Sequence, residues 1–314
     1  MIKRKAKKYK SYKILITWRL LIQDIGSYKN ILKKNNIYFD ILNTKQYTEE
    51  EKLLKIIHKY DGIICGDDEI TKKVINKAKY LKVISKWGTG IDSIDREYLK
   101  LKNITLINSP GAFTKSVAQH ALALMFCLNR NIVANHNDIK DGLWTKRICS
   151  NLEEKKIGII GYGKIGREIH KNLKPFNSKF LINDVKKIKG KVNLSFLLKN
   201  SDIIFVSCDL NKKSKNLIDY KKMILMKKTS KIINISRGAI INNQDLAKCL
   251  KKKIISGAGL DVFDKEPIDK KSKFLELDNC ILTSHNAFNS ENSIKKINKK
   301  SVGNIINFFK NFKK

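Results

Sequence analysis

Gly161, Gly163 and Gly166 stand as GxGxxG in Gly158-Ile-Ile-Gly-Tyr-Gly-Lys-Ile-Gly166, directly after the apolar run 156–160 and at the opening of a stretch with helical spacing. The chemistry such spacing suits is dinucleotide binding. The first glycine permits a tight turn, the second lets the backbone approach a pyrophosphate, and the third allows close helix–strand packing. The helix start then offers unpaired N–H groups and partial positive charge to the phosphates. Gly161, Gly163, Lys164, Ile165 and Gly166 are therefore the candidate cofactor-binding run. A second apolar run, 179–184, ends in Asp184, 18 residues past Gly166. An acid there bonds ribose hydroxyls and repels a 2′-phosphate. NAD is expected over NADP, with Lys186 and Lys187 close enough to soften the preference.

A fold of this kind binds its ligand at the carboxyl ends of its strands. The run 231–236 delivers Arg237 in Asn234-Ile-Ser-Arg-Gly238. The run 255–262 delivers Asp261 and then Glu266, and the run 280–284 delivers His285. An arginine, an acid and a histidine at three strand ends form a candidate catalytic set.

The elements that must position these residues are legible as periodicity. Short Ile-rich runs at 13–17, 62–65, 82–85, 104–108, 156–160, 179–184, 202–208, 231–236, 255–262 and 280–284 read as strands. Stretches at 28–35, 49–59, 71–79, 93–101, 113–137, 163–174, 243–253 and 291–311 read as helices. Near-continuous apolar strands separated by helices require a parallel sheet covered on both faces, so the fold class is α/β. Pro175 stops the helix that opens at Gly163, and Asn108-Ser-Pro-Gly111 makes the turn into the longest helix.

Of the 314 residues, 65 are Lys or Arg against 29 Asp or Glu, a formal net charge of +36. Such an excess invites a nucleic-acid reading. However, the basic residues are 58 Lys and only 7 Arg, and the Lys are spread over every helix instead of forming a stripe. Specific nucleic-acid binding is not expected, and weak salt-dependent contact with polyanions is. Residues 1–10 alone resemble a basic tail. No apolar run reaches the roughly 20 residues of a membrane span, and no signal cleavage site follows the basic start. The six cysteines form no CxxC and are never closer than 22 positions, so neither a metal site nor a disulfide framework is expected. They suit core positions in a reducing cytoplasm.

At this point the residues resemble a known family, the NAD-dependent D-isomer-specific 2-hydroxyacid dehydrogenases, near D-3-phosphoglycerate dehydrogenase and its short relatives. The resemblance is carried by Lys86-Trp-Gly-Thr-Gly-Ile-Asp-Ser-Ile-Asp95, Asn108-Ser-Pro-Gly111, Val117-Ala-Gln-His-Ala121, Trp144, the glycine run, Asn234-Ile-Ser-Arg-Gly238, Gly257-Ala-Gly-Leu-Asp-Val262 with Glu266-Pro267, and Leu282-Thr-Ser-His285. It implies that Arg237 grips the substrate carboxylate and carbonyl oxygen through a fork that Lys cannot reproduce. It implies that His285 is the general acid/base, and that Glu266 holds its other ring nitrogen and so fixes the tautomer. The backbone of Gly88, Thr89 and Gly90 would hold the substrate carboxylate, and Asp261 would contact the nicotinamide carboxamide. Asn108 either touches substrate or braces the turn. His58, His120, His136 and His170 all fall in expected helices and are assigned no chemistry.

The resemblance further implies a Rossmann-type doubly wound NAD domain over 105–286. A smaller flavodoxin-like α/β substrate domain would be built discontinuously from 1–104 and 287–314. The site would lie in the cleft between the two, and the usual assembly would be a homodimer through the cofactor domain. Several positions depart from the family pattern: Gln119 where an acid is common, Ser284 before the histidine, and Ser207 and Asp209 at the adenosine pocket. Cys65-Gly-Asp-Asp68 replaces a phosphate-binding Arg and Ser, and two carboxylates there would repel a phosphorylated substrate. A C-terminal regulatory domain is not expected. A rival expectation is a corepressor-like scaffold that uses the same fold and NAD without catalysis. Retention of Arg237, Glu266 and His285 favours the enzyme.

Overall fold

The computed structural model describes residues 11–44, 47–153 and 155–312; the basic run 1–10 lies outside them. The chain divides into two compact units. One runs to Ala112 and takes back the chain from Ser290, and the other is Phe113–Asn289.

The first unit is built on β1 (Tyr12–Ile16), β2 (Ile37–Ile41), β3 (Gly62–Cys65), β4 (Val83–Lys86) and β5 (Thr105–Ile107). These form a parallel sheet in the order β2-β1-β3-β4-β5, the flavodoxin-like order, with its topological switch point between β1 and β3. β3 and β4 are buried along their whole length; β3 is apolar throughout, whereas β4 also buries Ser85 and Lys86. β2 had no counterpart among the expected strands. It is an edge strand whose Tyr38 and Ile41 are exposed, so it lacks the continuous apolar run that marks a central strand. The helix Glu291–Asn311 returns to this unit from the far end of the sequence. Its Phe309 stacks on Tyr12 with ring centroids 4.1 Å apart, and its Asn298 accepts the Trp87 indole N–H at 2.7 Å.

The second unit is built on β6 (Lys156–Ile160), β7 (Lys179–Asn183), β8 (Ile203–Val206), β9 (Lys231–Asn234), β10 (Gly257–Leu260) and β11 (Cys280–Leu282). All pair in parallel in the order β11-β10-β9-β8-β6-β7, and this is the expected doubly wound sheet. The chain goes from β6 outward to β7 and then crosses to β8, so the switch point lies between β6 and β8. One face is covered by the helix Thr114–Asn129, whose approach needs a side chain as small as glycine on β10. A Cβ at Gly259 would sit 3.1 Å from Leu124 Cβ and 3.2 Å from Leu128 Cδ1.

The single helix expected over 113–137 is two. Thr114–Asn129 ends, Asn131 takes φ 50°, and Ile132–Lys140 begins. Asparagine is the residue that enters this left-handed region at least cost after glycine. The short helices Leu194–Asn200 and Tyr220–Met223 were not anticipated. Each is capped by a side chain, Asn193 and Asp219 respectively, the local device that stabilises an N-terminus. Among the described residues no helix is long and apolar enough to cross a membrane.

Candidate active site

At the switch point of the second unit, β6 delivers the glycine loop. Gly161 has φ 89°, and a Cβ there would lie 2.5 Å from the backbone of Cys208, just past β8. Gly166 would meet the Gly161 carbonyl oxygen at 2.2 Å, so it lets the helix Lys164–Leu173 rest on the strand end. Gly163, by contrast, has nothing within 4 Å of where its Cβ would be, and it caps that helix without a side-chain hydrogen bond. Open space over the start of a ten-residue helix, floored by glycines, fits a pyrophosphate. Asp184 follows β7, and its carboxylate accepts the Tyr162 N–H at 2.6 Å and the Lys186 N–H at 2.8 Å. The acid expected at the ribose is therefore tied to the glycine loop itself. Burial pushes the nearby Cys208 thiol up to about 11, so it stays neutral near pH 7 and is a packing group against Gly161.

On the other half of the sheet, β9, β10 and β11 lie side by side, and their ends carry Arg237, Asp261 and His285. His285 has φ 50°. Its backbone N–H donates to the Asp261 carbonyl at 2.7 Å, and its Nδ1 lies 2.6 Å from Glu266 Oε2. An ionised carboxylate can only accept, so Nδ1 carries the proton. Glu266 is itself held, its Oε1 accepting the Phe263 N–H at 2.9 Å. Phe288 sets its ring at 70° to the imidazole with centroids 6.2 Å apart, and it packs on Phe113.

Asp261 is fully buried. It accepts from Thr283 Oγ1 at 2.6 Å and from the N–H groups of Asn286 and Ala287 at 2.8 and 2.9 Å. Burial alone would raise its pKa, but these bonds and the His120 ring hold its carboxyl below the ordinary carboxylate value. It thus bridges the end of β10 to the turn that presents His285. His120, to which the sequence reading gave no chemistry, belongs to this cluster. Its Nε2 lies 3.0 Å from Thr283 Oγ1 and 3.3 Å from Asp261 Oδ1. The available signal was its place beside Ala121 on the buried stripe of the helix, where an imidazole needs a polar partner.

Arg237 is half-buried, and its Nη1 donates to the Ser236 carbonyl at 2.9 Å. Asn234 braces the turn by donating to the Arg237 carbonyl and accepting from the Ser236 N–H. The next residue is sterically the most constrained in this loop. A Cβ on Gly238 would lie 1.9 Å from the Phe263 carbonyl carbon, so the arginine loop and the Asp261–Glu266 loop touch backbone to backbone.

In the first unit, the loop after β4 holds Gly88 at φ 131°. The Gly88 carbonyl accepts the Ser109 N–H at 2.9 Å, and Thr89 Oγ1 donates to the Ser109 carbonyl at 3.2 Å. Asn108 Nδ2 donates to the Thr89 carbonyl at 2.9 Å, so of its two expected roles the structure displays the bracing bond. Of the paired carboxylates after β3, Asp68 is buried and spent on the loop. It accepts from Thr17 Oγ1, Gly66 N–H and Thr48 N–H at 2.6–2.8 Å. Only Asp67 faces outward.

Taken together, a doubly wound sheet with an open glycine loop, and an arginine and a glutamate-held histidine at the ends of β9 and β11 on either side of β10, define a nicotinamide-dependent oxidoreductase. The comparisons with known proteins narrow the class. A model described as D-isomer specific 2-hydroxyacid dehydrogenase, NAD binding domain, matches residues 122–287. The chain is 33% identical over 253 residues to a glyoxylate reductase of Pyrococcus horikoshii, covering 75% of each chain. It is 33% identical over 252 residues to a hydroxypyruvate reductase of Thermotoga maritima, covering 77% of this chain and 82% of that one. D-Lactate dehydrogenase of Aquifex aeolicus, solved with NAD and lactic acid, aligns with a TM-score of 0.86 at 27% identity, over 95% of this chain and 96% of that one. The chain belongs to the D-isomer specific 2-hydroxyacid dehydrogenases. It is an oxidoreductase of that family, and its cofactor is NAD.

Proposed function

We propose that the protein interconverts a small D-2-hydroxy acid and its 2-oxo acid, with Arg237 as the substrate-gripping cation and His285 as general acid/base. The observation that carries this reading is the Glu266–His285 pair. A carboxylate on Nδ1 fixes the tautomer and the orientation of the ring, as a histidine that exchanges a proton with substrate through its other nitrogen needs. Bound NADH supplies the hydride to C2 of the oxo acid, and NAD accepts it in reverse. The chain's own residues do the rest. Arg237 forks onto carboxylate and carbonyl oxygens, and His285 Nε2 delivers a proton to the carbonyl oxygen as C2 is reduced. Asp261 and Thr283 keep the histidine turn in place. The expected contact of Asp261 with the nicotinamide carboxamide would be shared with the donors it already accepts. In the first unit, taken as the substrate-binding domain, the N–H groups of Gly88, Thr89 and Gly90 hold the substrate carboxylate. Phe113–Asn289 is the NAD-binding domain.

The test is a single plate of purified protein, NADH and a panel that includes glyoxylate, pyruvate, hydroxypyruvate, oxaloacetate and 3-phosphohydroxypyruvate, read by nicotinamide absorbance. NADH oxidation with at least one acid is expected, giving the D enantiomer wherever the product has a stereocentre. Silence across the panel would remove the reading. NADPH run in parallel should be slower, because Asp184 meets the 2′-phosphate with like charge; a faster rate with NADPH would overturn that assignment.

We further propose a homodimer in the cytoplasm. The helix Ile132–Lys140 buries no residue. Together with the chain just after it, it exposes Ile132, Val133, Ile139, Leu143, Trp144 and Ile148, the last two 82% and 99% exposed. An amphipathic arm of this size calls for a partner, and a second copy is the partner the family's usual assembly supplies. The six cysteines are free, as a reducing compartment requires. Trp144→Asp with Ile148→Asp is expected to halve the mass seen by light scattering. A wild type that is already monomeric at micromolar concentration would sink the proposal.

A further inference from the structure

The turn that presents His285 depends on a residue far from its own loop. His285 has φ 50°, and the N–H groups of His285, Asn286 and Ala287 all end on Asp261. A side-chain-bearing residue keeps such a backbone only where its surroundings over-determine it. The place of the Asp261 carboxylate therefore decides the place of the imidazole. That carboxylate is fully buried, and among the described residues its ion-pair partner is His120 of the helix Thr114–Asn129, not a lysine or arginine.

The donors and acceptors can be assigned without ambiguity. Thr283 Oγ1 lies 2.6 Å from Asp261 Oδ1. An ionised carboxylate only accepts, so the one hydroxyl proton of Thr283 is committed there. His120 Nε2 lies 3.0 Å from the same hydroxyl oxygen and 3.3 Å from Asp261 Oδ1. Both oxygens face it as acceptors, so Nε2 carries a proton whether the ring is neutral or charged. The chain of donors runs from His120 Nε2–H to Thr283 Oγ1–H to Asp261. A single ring on the helix thus ties together the ends of β10 and β11.

We propose that His120 is a positioning residue for the proton transfer: its Nε2–H orients Thr283 and Asp261, and through them fixes the place and tautomer of His285. The inference rests on His285 as the general acid/base. Burial works against the charge on Asp261, and the His120 ring, the Thr283 hydroxyl and the two N–H groups offset it. Without the Nε2–H, the hydroxyl is no longer oriented and a buried carboxylate loses a donor that water cannot replace. The turn then relaxes, and the His285 ring loses its alignment on Glu266.

The experiment compares wild type, His120→Gln, His120→Leu and Thr283→Val on the best acid of the panel, with the histidine tautomers read by NMR on protein carrying isotope-labelled histidine. In wild type, His120 should show the Nε2–H form and His285 the Nδ1–H form. His120→Leu fills the space without a donor. It should lower kcat by about 10–10²-fold, as a misplacement of up to about 1 Å does, with KM for the acid little changed and the His285 ring in mixed tautomers. Glutamine sets an amide N–H near the former Nε2–H, so His120→Gln should recover most of kcat and a single His285 tautomer. Thr283→Val breaks the same chain, and it serves as the test should His120→Leu not fold. Combined with His120→Leu it should add little to the larger single loss, because residues of one network are not additive. A kcat of His120→Leu within threefold of wild type overturns the proposal, as does a wild-type His120 that carries its proton on Nδ1 alone. Equal losses in His120→Gln and His120→Leu overturn it too, since the ring would then only fill space. If His285→Asn itself kept kcat within tenfold, the acid/base assignment would fall, and this inference with it. An inactive His285→Asn beside a fully active His120→Leu removes this inference alone.

Discussion

Replacing His285 by asparagine is expected to lower kcat by about 10²–10⁴-fold, the contribution general acid–base catalysis makes, with NADH binding unchanged. Asparagine is the right replacement because the residue holds φ 50°, which asparagine tolerates and most side chains do not. Loss of activity would then report the proton and not a collapsed turn. The turn has its own supports, since the His285 N–H and the two N–H groups after it bond to the backbone oxygen and carboxylate of Asp261, and none of these needs the imidazole. Glu266→Gln offers a graded comparison. The glutamine still accepts from Nδ1–H but carries no charge, so a smaller loss of rate than in His285→Asn is expected. If His285→Asn retained kcat within tenfold of wild type on the best acid, another group would have to supply the proton.

How far the sequence reached can be judged residue by residue. The central strands were legible because a strand buried on both faces is dominated by apolar side chains, with polar ones such as Ser85, Lys86 and Asn234 confined to the strand ends. β2 was not, because an edge strand with Tyr38 outward obeys no such rule. Gly161 and Gly166 were legible because backbone geometry that excludes a Cβ leaves only one residue type, and Arg237 because it stands out in a chain of 58 Lys. What could not be read was pairing in space. Asp67 and Asp68 are adjacent and chemically alike, and only the fold shows that one is consumed by Thr17, Gly66 and Thr48 while the other caps Lys86. His120 and Thr283 lie 163 positions apart, and nothing local in either segment announces their contact. The break at Asn131 was equally hidden, because the apolar spacing runs on through it.

Gly238→Ala is expected to be the most damaging substitution that removes no functional group. The added methyl would start 1.9 Å from the Phe263 carbonyl carbon and 2.3 Å from the Asp264 nitrogen. Ordinary contact begins near 3.4 Å, so two backbones must part by about 1.5 Å. Both are anchored. One is the start of the turn Gly238–Ile240 after Arg237, and the other runs from buried Asp261 to Glu266 through the Phe263 N–H bond. Overpacking of this kind costs about 1–3 kcal/mol, seen as a melting temperature lower by several degrees. The larger effect should fall on turnover, because the displaced segments carry the arginine on one side and the histidine's carboxylate on the other. A misplacement of about 1 Å costs on the order of 10²-fold in rate. The loss should therefore exceed what the fall in stability accounts for, and it should persist at temperatures where the variant is fully folded. Serine, with the same Cβ, should fail equally. Activity in Gly238→Ala within threefold of wild type would mean that the two loops can separate without disturbing the reaction, and that Arg237 and Glu266 need not be held to a common frame.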